Sequence, residues 1–512
     1  MTDPLNSAPL KSHEERIAGG AGLAFVGRMG ALIEVASVIA FTWAYGAATF
    51  GLYAVLWSYI KVATGIAEAA MPTALQRYIP KAGADADNIT GFALKISFFF
   101  GCIIALPITL FAPYLAGFIS AADADAEKLV TVMRLYAWVL PFWTVVEVAT
   151  AAVRATRNFG PEIKVRIFYE QGIRLVAAMA FAALGLFTYG LFLAHLLSVI
   201  AAAILALKLV AKHYNFRAII KAPLQGETPK EILKYCYAIM PANLIKRLFS
   251  EFPVMFLNFM LPGAQGAAAG GYYSVARKIA SALQAVRMTF EYVMAPLAAE
   301  KEGHGDRKAL DSMYGYATRL SVTIALPFGA ALILARHDIL AAMRPEFEAA
   351  TAAIAILCAG RVFEAATGPS SSIIEMLGHR LLPPANGMAG LIVMLALGFH
   401  LIPLYGVTGA AIAAACGLNT TAGLSLIQAK FLFGLTPYNR QMLRPMAAAI
   451  LLSGILLALV PYSFQWQPPY GIVTALFLLL VGLVGIIRFG LAPEDAAALG
   501  KIGKRKKTKK TS

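Results

Sequence analysis

Charge is what this sequence has least of. Asp, Glu, Lys and Arg make up 14% of its 512 residues, where a soluble chain would carry about a quarter. Most of the chain therefore has no solvated surface to offer. Cysteine is also sparse. Cys102, Cys236, Cys358 and Cys416 lie in separate apolar runs without a CxxC pair, which argues against a disulfide framework or a cysteine metal site and for packed bystanders. No HExxH, GxSxG or P-loop word occurs, and the loops of one side are only a few residues long, so the chemistries those motifs carry have no foothold. Short segments of alternating hydrophobicity, the mark of a membrane β-barrel, are missing too. The N-terminus stays polar as far as Arg16 and no small-residue cleavage site follows a short apolar core, so no cleaved signal peptide is expected.

Apolar length is what the chain has instead. Hydrophobic residues make up 59% of it, and they cluster into runs of about 20 or more, enough to cross a bilayer. In lipid each run must satisfy its own backbone hydrogen bonds, so the runs are helices. The expected fold is an all-α polytopic membrane protein with about 14 spans: 19–44, 50–76, 91–118, 129–155, 163–187, 189–212, 232–260, 267–298, 312–335, 348–377, 383–403, 406–433, 443–462 and 470–490. The connections alternate. Arg77 and Lys81; Arg157 and Lys164; the run from Lys208 to Lys230; Lys301, Arg307 and Lys308; and Arg440 and Arg444 mark a basic set. Segments 45–49, 187–190, 261–266, 403–406 and 462–470 are nearly free of Lys and Arg, and 120–128 is mainly acidic. Only 336–346, with Arg336 and Arg344, breaks the pattern. By the positive-inside rule the basic set and both termini are cytoplasmic. The net charge of +16 is thus a topology signal, and no nucleic-acid module accompanies it.

A duplication organises the chain. Ile104-Ala105-Leu106-Pro107 recurs as Ile324-Ala325-Leu326-Pro327, and Gly51-Leu52-Tyr53 resembles Gly271-Tyr272-Tyr273 at the same offset. Glu147 with Ala149-Thr150 matches Glu364 with Ala366-Thr367, and Tyr189-Gly190 matches Tyr405-Gly406. An offset spanning an even number of helices returns the chain to the same side, so the halves run parallel about an axis along the membrane normal. The expected parts are a tail at 1–18, an N-lobe at 19–212, a cytoplasmic linker at 213–231, a C-lobe at 232–433, a further helix pair at 443–490 and a polybasic tail at 491–512.

Three segments carry a resemblance to a known family. They are Phe50-Gly51-Leu52-Tyr53-Ala54; Gly65 with Arg77-Tyr78-Ile79-Pro80; and Gly271-Tyr272-Tyr273-Ser274-Val275-Ala276-Arg277-Lys278-Ile279. With Pro241 and Pro296, they resemble the polysaccharide-biosynthesis flippases of the multidrug/oligosaccharidyl-lipid/polysaccharide exporter superfamily, over roughly residues 15–435. The resemblance implies a MATE-like fold of two six-helix lobes. It also implies transport of undecaprenyl-pyrophosphate-linked glycan units (O-antigen, capsule or exopolysaccharide repeats) across a bacterial inner membrane by alternating access. Membrane lipids and polysaccharide-assembly proteins are the implied partners.

Ionisable residues inside the spans cost about 2.5–3.5 kcal/mol on insertion scales, so each should face a cavity or a partner. Arg28, Lys61, Lys246, Arg247, Arg277, Lys278 and Arg361 are candidates to bind the pyrophosphate, because Arg forks replace the hydrogen bonds that the anion loses with its water. Helices 1, 2, 7 and 8, which carry most of them, line the lobe interface in the superfamily. Internal pairing competes with that role. Arg166–Glu170–Arg174, Arg247–Glu251 and Arg287–Glu291 are spaced i,i+4, and Arg361–Glu364 i,i+3. Arg28, Lys61, Arg277 and Lys278 have no carboxylate at those spacings, so any partner of theirs comes from another helix. Glu34, Glu68, Glu147 and Glu364 are candidates to couple transport to an H+ or Na+ gradient, against a bland role in helix-packing ion pairs. No other cofactor and no metal is called for. His195 and His400 read as packed, hydrogen-bonded imidazoles. The run Lys504–Lys510 reads as a solvated topology signal or an anionic-lipid contact.

Several functions stay open on the residues alone. A lipid-linked oligosaccharide flippase fits the basic character of the buried charges. A cation-coupled multidrug exporter, which would favour an acidic cavity, and a peptidoglycan-precursor flippase belong to the same superfamily. A membrane glycan polymerase or ligase lacks the surface loops for its chemistry, and a non-transporting scaffold leaves the buried charges without a role.

Overall fold

The computed structural model describes residues 13–156, 160–303, 307–377, 381–486 and 488; the side chains of 13–32, 84, 289–303, 307–309 and 376 lie outside that description. The chain divides into two compact units, Met1–Ile119 with Asp123–Leu244, and Ser120–Ala122 with Ile245–Ser512. Helix is the only regular structure among the described residues. The first unit carries α1 (His13–Ala67), α2 (Met71–Ala82), α3 (Ala86–Leu110), α4 (Ala112–Leu115), α5 (Asp123–Tyr136), α6 (Val139–Ala155), α7 (Gly160–Ile163), α8 (Glu170–Ala183), α9 (Phe187–His213) and α10 (Phe216–Lys221). The boundary between units falls inside α11 (Glu227–Met260). The second unit continues with α12 (Gly263–Gly303), α13 (Arg307–Ala341), α14 (Thr351–Thr367), α15 (Ser370–Met376), α16 (Leu382–Phe433), α17 (Leu443–Ala458), α18 (Val460–Ser463) and α19 (Tyr470–Gly485).

Seven described helices are long and apolar enough to cross a membrane, and the bent pair α5–α6 makes an eighth. The protein is a multi-pass membrane protein. Two of the helices are double-length. α1 runs 55 residues with non-helical backbone at Gly46 (φ 82°, ψ 168°), and α16 runs 52 with a break at Gly406 (φ 52°, ψ −124°). Each exceeds twice the roughly 20 residues one crossing needs, and each kink falls on a connection expected from the sequence, 45–49 or 403–406.

Several spans differ from expectation. The stretch read as one helix over 50–76 breaks at Glu68-Ala69-Ala70, where Ala69 and Ala70 adopt positive φ of 45° and 59°. The span read over 129–155 starts earlier, at Asp123, and bends by 41° between Tyr136 and Val139. The span read over 348–377 ends at Thr367, where Gly368 (φ 64°) and Pro369 turn the chain into α15. The span read over 163–187 opens with a π-helical turn from Lys164 to Tyr169. The segment read as a plain linker, 213–231, holds α10 and the first turn of α11.

Close helix approach depends on small residues, because lipid gives apolar side chains no reason to leave it and packing alone must hold the bundle. In the first unit α6 sits at the centre, with Ala149, Ala151 and Ala152 fully buried. Gly101 lets α3 meet it: a Cβ there would lie 2.7 Å from the Pro141 Cα. In the second unit α13 is the hub, packing against α12, α14, α17 and α19.

Candidate functional site

Four helices of the second unit enclose a cavity of about 380 Å³. The spacing of its lining residues follows the helical period. α12 offers Arg277, Gln284 and Arg287 from one face, α14 offers Arg361 and Glu364, α11 offers Lys246 and Ser250, and α16 offers Thr421. Leu357, Ala414, Ala415 and Leu418 supply apolar wall. The glycines of α16 set how near its halves come, since a Cβ on Gly417 would lie 2.6 Å from the Gly390 carbonyl oxygen.

The cavity is cationic. Lys246, Arg277, Arg287 and Arg361 line it against a single lining carboxylate, Glu364. Arg361 donates to Glu364 at 2.7 Å and Arg287 pairs with the other carboxylate oxygen at 3.2 Å. Glu251 on α11, just behind the wall, pairs with Arg277 at 3.3 Å, and Arg277 also donates to the Ser250 carbonyl. Among the described residues, even with Glu251 counted, four cations face two carboxylates, so the lining is richer in cations and guanidinium donors than in carboxylates, which suits an anion.

The first unit holds a different polar cluster. His195 is fully buried. Its Nδ1 meets the Tyr136 hydroxyl at 2.7 Å and the Tyr53 hydroxyl at 3.1 Å. Arg174 donates to Tyr53 at 3.2 Å, approaches the His195 Nε2 at 3.3 Å and pairs with Glu170 at 3.2 Å. The Glu170 carboxylate lies 3.7 Å from the same Nε2. Trp57 packs edge-on against the ring at 4.5 Å, and Lys61 lies 5.8 Å from the Trp57 ring centre. Nearby, Glu147 accepts from Arg166 at 2.8 Å, while Glu162 takes both Arg154 at 2.6 Å and Arg166 at 3.3 Å. Among the described residues no group of His, Cys, Asp and Glu is arranged to hold a metal ion.

The structure sorts the sequence candidates. Lys246, Arg277 and Arg361 share the cavity; Arg247 and Lys278 lie outside its lining. Lys61 belongs to the first unit, and the side chain of Arg28 lies outside the described residues. Of the carboxylates, Glu147 and Glu364 are both held by arginines, Glu68 is buried at the break between α1 and α2, and Glu34 is half-buried on α1. Arg277 finds its carboxylate on another helix, as expected of a residue with none at i±3 or i±4. The helix trio is only half as read: Arg174 pairs with Glu170, but Arg166 turns to Glu147 on α6 and to Glu162 one turn before it. Arg287, read as the partner of Glu291, pairs with Glu364, and the side chain of Glu291 lies outside the described residues. Arg287 and Gln284 are the cavity residues of α12 that the sequence reading missed, as it missed Ser250 and Thr421 on the facing helices. The signal was present in the steps of seven and three residues from Arg277 to Gln284 and Arg287, which put all three on one face.

The comparisons with known proteins agree on the architecture. A family model described as "Polysaccharide biosynthesis protein" matches residues 46–343, more than half of the chain. A solved structure of the lipid II flippase MurJ, in an inward closed conformation, superposes with a TM-score of 0.70 at 13% identity, covering 91% of this chain and 98% of that one. An inward-facing multidrug resistance MATE family transporter of the MOP superfamily gives 0.62 at 15% identity, covering 80% and 94%. A solved structure of the MATE multidrug transporter DinF-BH gives 0.59 at 15% identity, covering 85% and 100%. At these identities the likeness is one of fold. No curated protein matches the chain by sequence.

Proposed function

Since the chain belongs to the polysaccharide biosynthesis protein family, we propose that it is a flippase for undecaprenyl-pyrophosphate-linked oligosaccharides, repeat units of a surface glycan, in a bacterial inner membrane with both termini cytoplasmic. The observation that carries this reading is the cationic cavity of the second unit, where Lys246, Arg277, Arg287 and Arg361 converge. A pyrophosphate entering a membrane protein loses its water, and guanidinium forks replace those contacts two at a time. A cavity for drug cations would need the opposite sign. Transport by alternating access and coupling to an H+ or Na+ gradient belong to the same proposal. Glu34, Glu68, Glu147 and Glu364 are the coupling candidates, and Glu147 and Glu364 are each held by arginine.

A second reading, a peptidoglycan-precursor flippase, draws support from the fold likeness to MurJ, since a lipid-linked anion suits the same cavity. Deleting the gene and extracting lipid-linked intermediates separates the two. Loss of one surface glycan, with its lipid-linked unit accumulating in the cytoplasmic leaflet, is the expected result. Accumulation of the cell-wall precursor supports the second reading. Normal glycans with no accumulated intermediate overturn both.

A further inference from the structure

The segment after α9 is held down far more firmly than a connecting loop requires. Tyr214 donates to the Ala152 carbonyl at 2.7 Å, and the Asn215 N–H donates to Asp87 at 3.1 Å. The Asn215 side chain accepts from the N–H groups of Arg217 and Ala218, starting α10. Lys95 donates to the Ala222 carbonyl at 2.7 Å. Ile219 and Ala222 are buried, 5% and 3% exposed, against α3 at Gly91, where a Cβ would lie 2.6 Å from the Ala222 Cβ.

The outer side of this docked helix is apolar. Phe216 and Ile220, one turn apart on α10, are 41% and 60% exposed, and Leu224, three residues past its end, is 52% exposed. Lys208 and Lys212 on the last turns of α9 and Arg217 and Lys221 on α10 are all exposed, and none of the four is ion-paired among the described residues. Of the nearby acids, Asp87 accepts from the Asn215 N–H and Asp85 accepts from Asn88.

We propose that α10 and these four cations form a binding site for anionic phospholipids at the membrane surface, with Phe216, Ile220 and Leu224 dipping into the acyl boundary. α9 is a 27-residue helix apolar enough to cross a membrane, so α10, two residues beyond its end, lies where that helix leaves the lipid. An apolar stripe bracketed by Lys and Arg is the pattern that settles at this boundary, and cations there attract anionic headgroups. A second copy of the chain or a protein partner would have to bring its own carboxylates to the same cations. The inference rests on the membrane-spanning reading of α9, not on the identity of the cargo.

The test places a benzophenone amino acid at Ile220 in the full-length protein. The protein is reconstituted in phosphatidylethanolamine vesicles with or without 30 mol% phosphatidylglycerol (about one lipid in three), an excess that saturates a surface site. Irradiation should yield phospholipid adducts, with phosphatidylglycerol enriched over its share of the vesicle. In parallel, native mass spectrometry of Arg217→Gln/Lys221→Gln should show about 25-fold weaker phosphatidylglycerol binding, fivefold for each charge lost. An adduct to a second copy, an adduct to neither lipid, or labelling of the two lipids in proportion to their share of the vesicle overturns the proposal. So does unchanged phosphatidylglycerol binding by the double variant. The labelling arm keeps the native charges, so it decides the question even where the double variant fails to fold.

Discussion

Glu364 accepts from two guanidiniums at once, and that sharing separates structure from binding at the level of single residues. Arg287→Gln leaves Glu364 its 2.7 Å partner Arg361, so stability should fall by less than about 1 kcal/mol. On the proposed function the same change removes a charge-assisted contact to the cargo, and transport of the lipid-linked unit should fall about tenfold or more. Glu364→Gln should cost more stability. It leaves Arg287 and Arg361 facing each other, at a cost of about 1–3 kcal/mol. That is below the 3–5 expected of a fully buried pair, because the arginine side chains are 18% and 21% exposed. Thermal midpoints in detergent beside a flipping assay read both. Equal loss of stability in the two variants would mark a purely structural pair. His195 is a different case. His195→Leu strips the Tyr136 hydroxyl and Arg174 of a buried partner, and the midpoint should drop by the equivalent of about 1–3 kcal/mol while transport per folded molecule holds. What the sequence showed at this scale was the residue type and its spacing along one helix. It could not show that Glu364 on α14 stands nearer to Arg287 than local pairing implied, because which helices are neighbours is decided by packing.

Among the elements, the two glycine kinks were legible and the internal breaks were not. Gly46 and Gly406 lie in short connections without Lys or Arg, and a change of loop character is visible in composition. The breaks at Glu68-Ala69-Ala70 and between Tyr136 and Val139 interrupt apolar runs with ordinary residues, so hydropathy passes over them. The repeat misleads in one place. Gly190 and Gly406 sit in matching Tyr-Gly words, yet Gly190 lies inside α9 against Tyr45 and Phe181, whereas Gly406 bends α16 with nothing within 4 Å of a Cβ. Gly46, with its φ and ψ of 82° and 168°, occupies a region almost confined to glycine. Gly46→Ala should therefore destabilise by about 1–3 kcal/mol. Gly423→Ala, in helix with open space around it, should be neutral or stabilising by up to about 1 kcal/mol. Circular dichroism melts of the two variants against the parent give the comparison. Equal midpoints would show that the kink is not under conformational constraint.

At the scale of the whole chain the open question is what α17–α19 contribute to the second unit. They cover Ala330, Ala331, Leu334 and Ala335 of α13 with Ala449, Leu452, Ala475 and Leu479. In water that burial would stabilise strongly, but lipid tails are as apolar as leucine, so removing these helices costs packing and little hydrophobic energy. The polar contacts decide the outcome. Asp338 is 3% exposed and accepts from the Ile472 N–H at the start of α19 at 2.9 Å, while Arg336 stacks 5.1 Å from the Phe464 ring centre. A chain ending at Met442 would leave that carboxylate facing lipid near the end of a span, where a charge costs less than the roughly 2.5–3.5 kcal/mol of the bilayer centre but still counts. Asp338→Leu should then act with opposite sign in the two backgrounds. In the full chain it loses the helix-start contact and lowers the thermal midpoint by the equivalent of about 0.5–2 kcal/mol. In the truncated chain it removes the stranded charge and raises the midpoint. A double-mutant cycle over truncation and Asp338→Leu measures that coupling directly. A value near zero would mean that apolar packing alone holds the last helices, and that Asp338 anchors nothing.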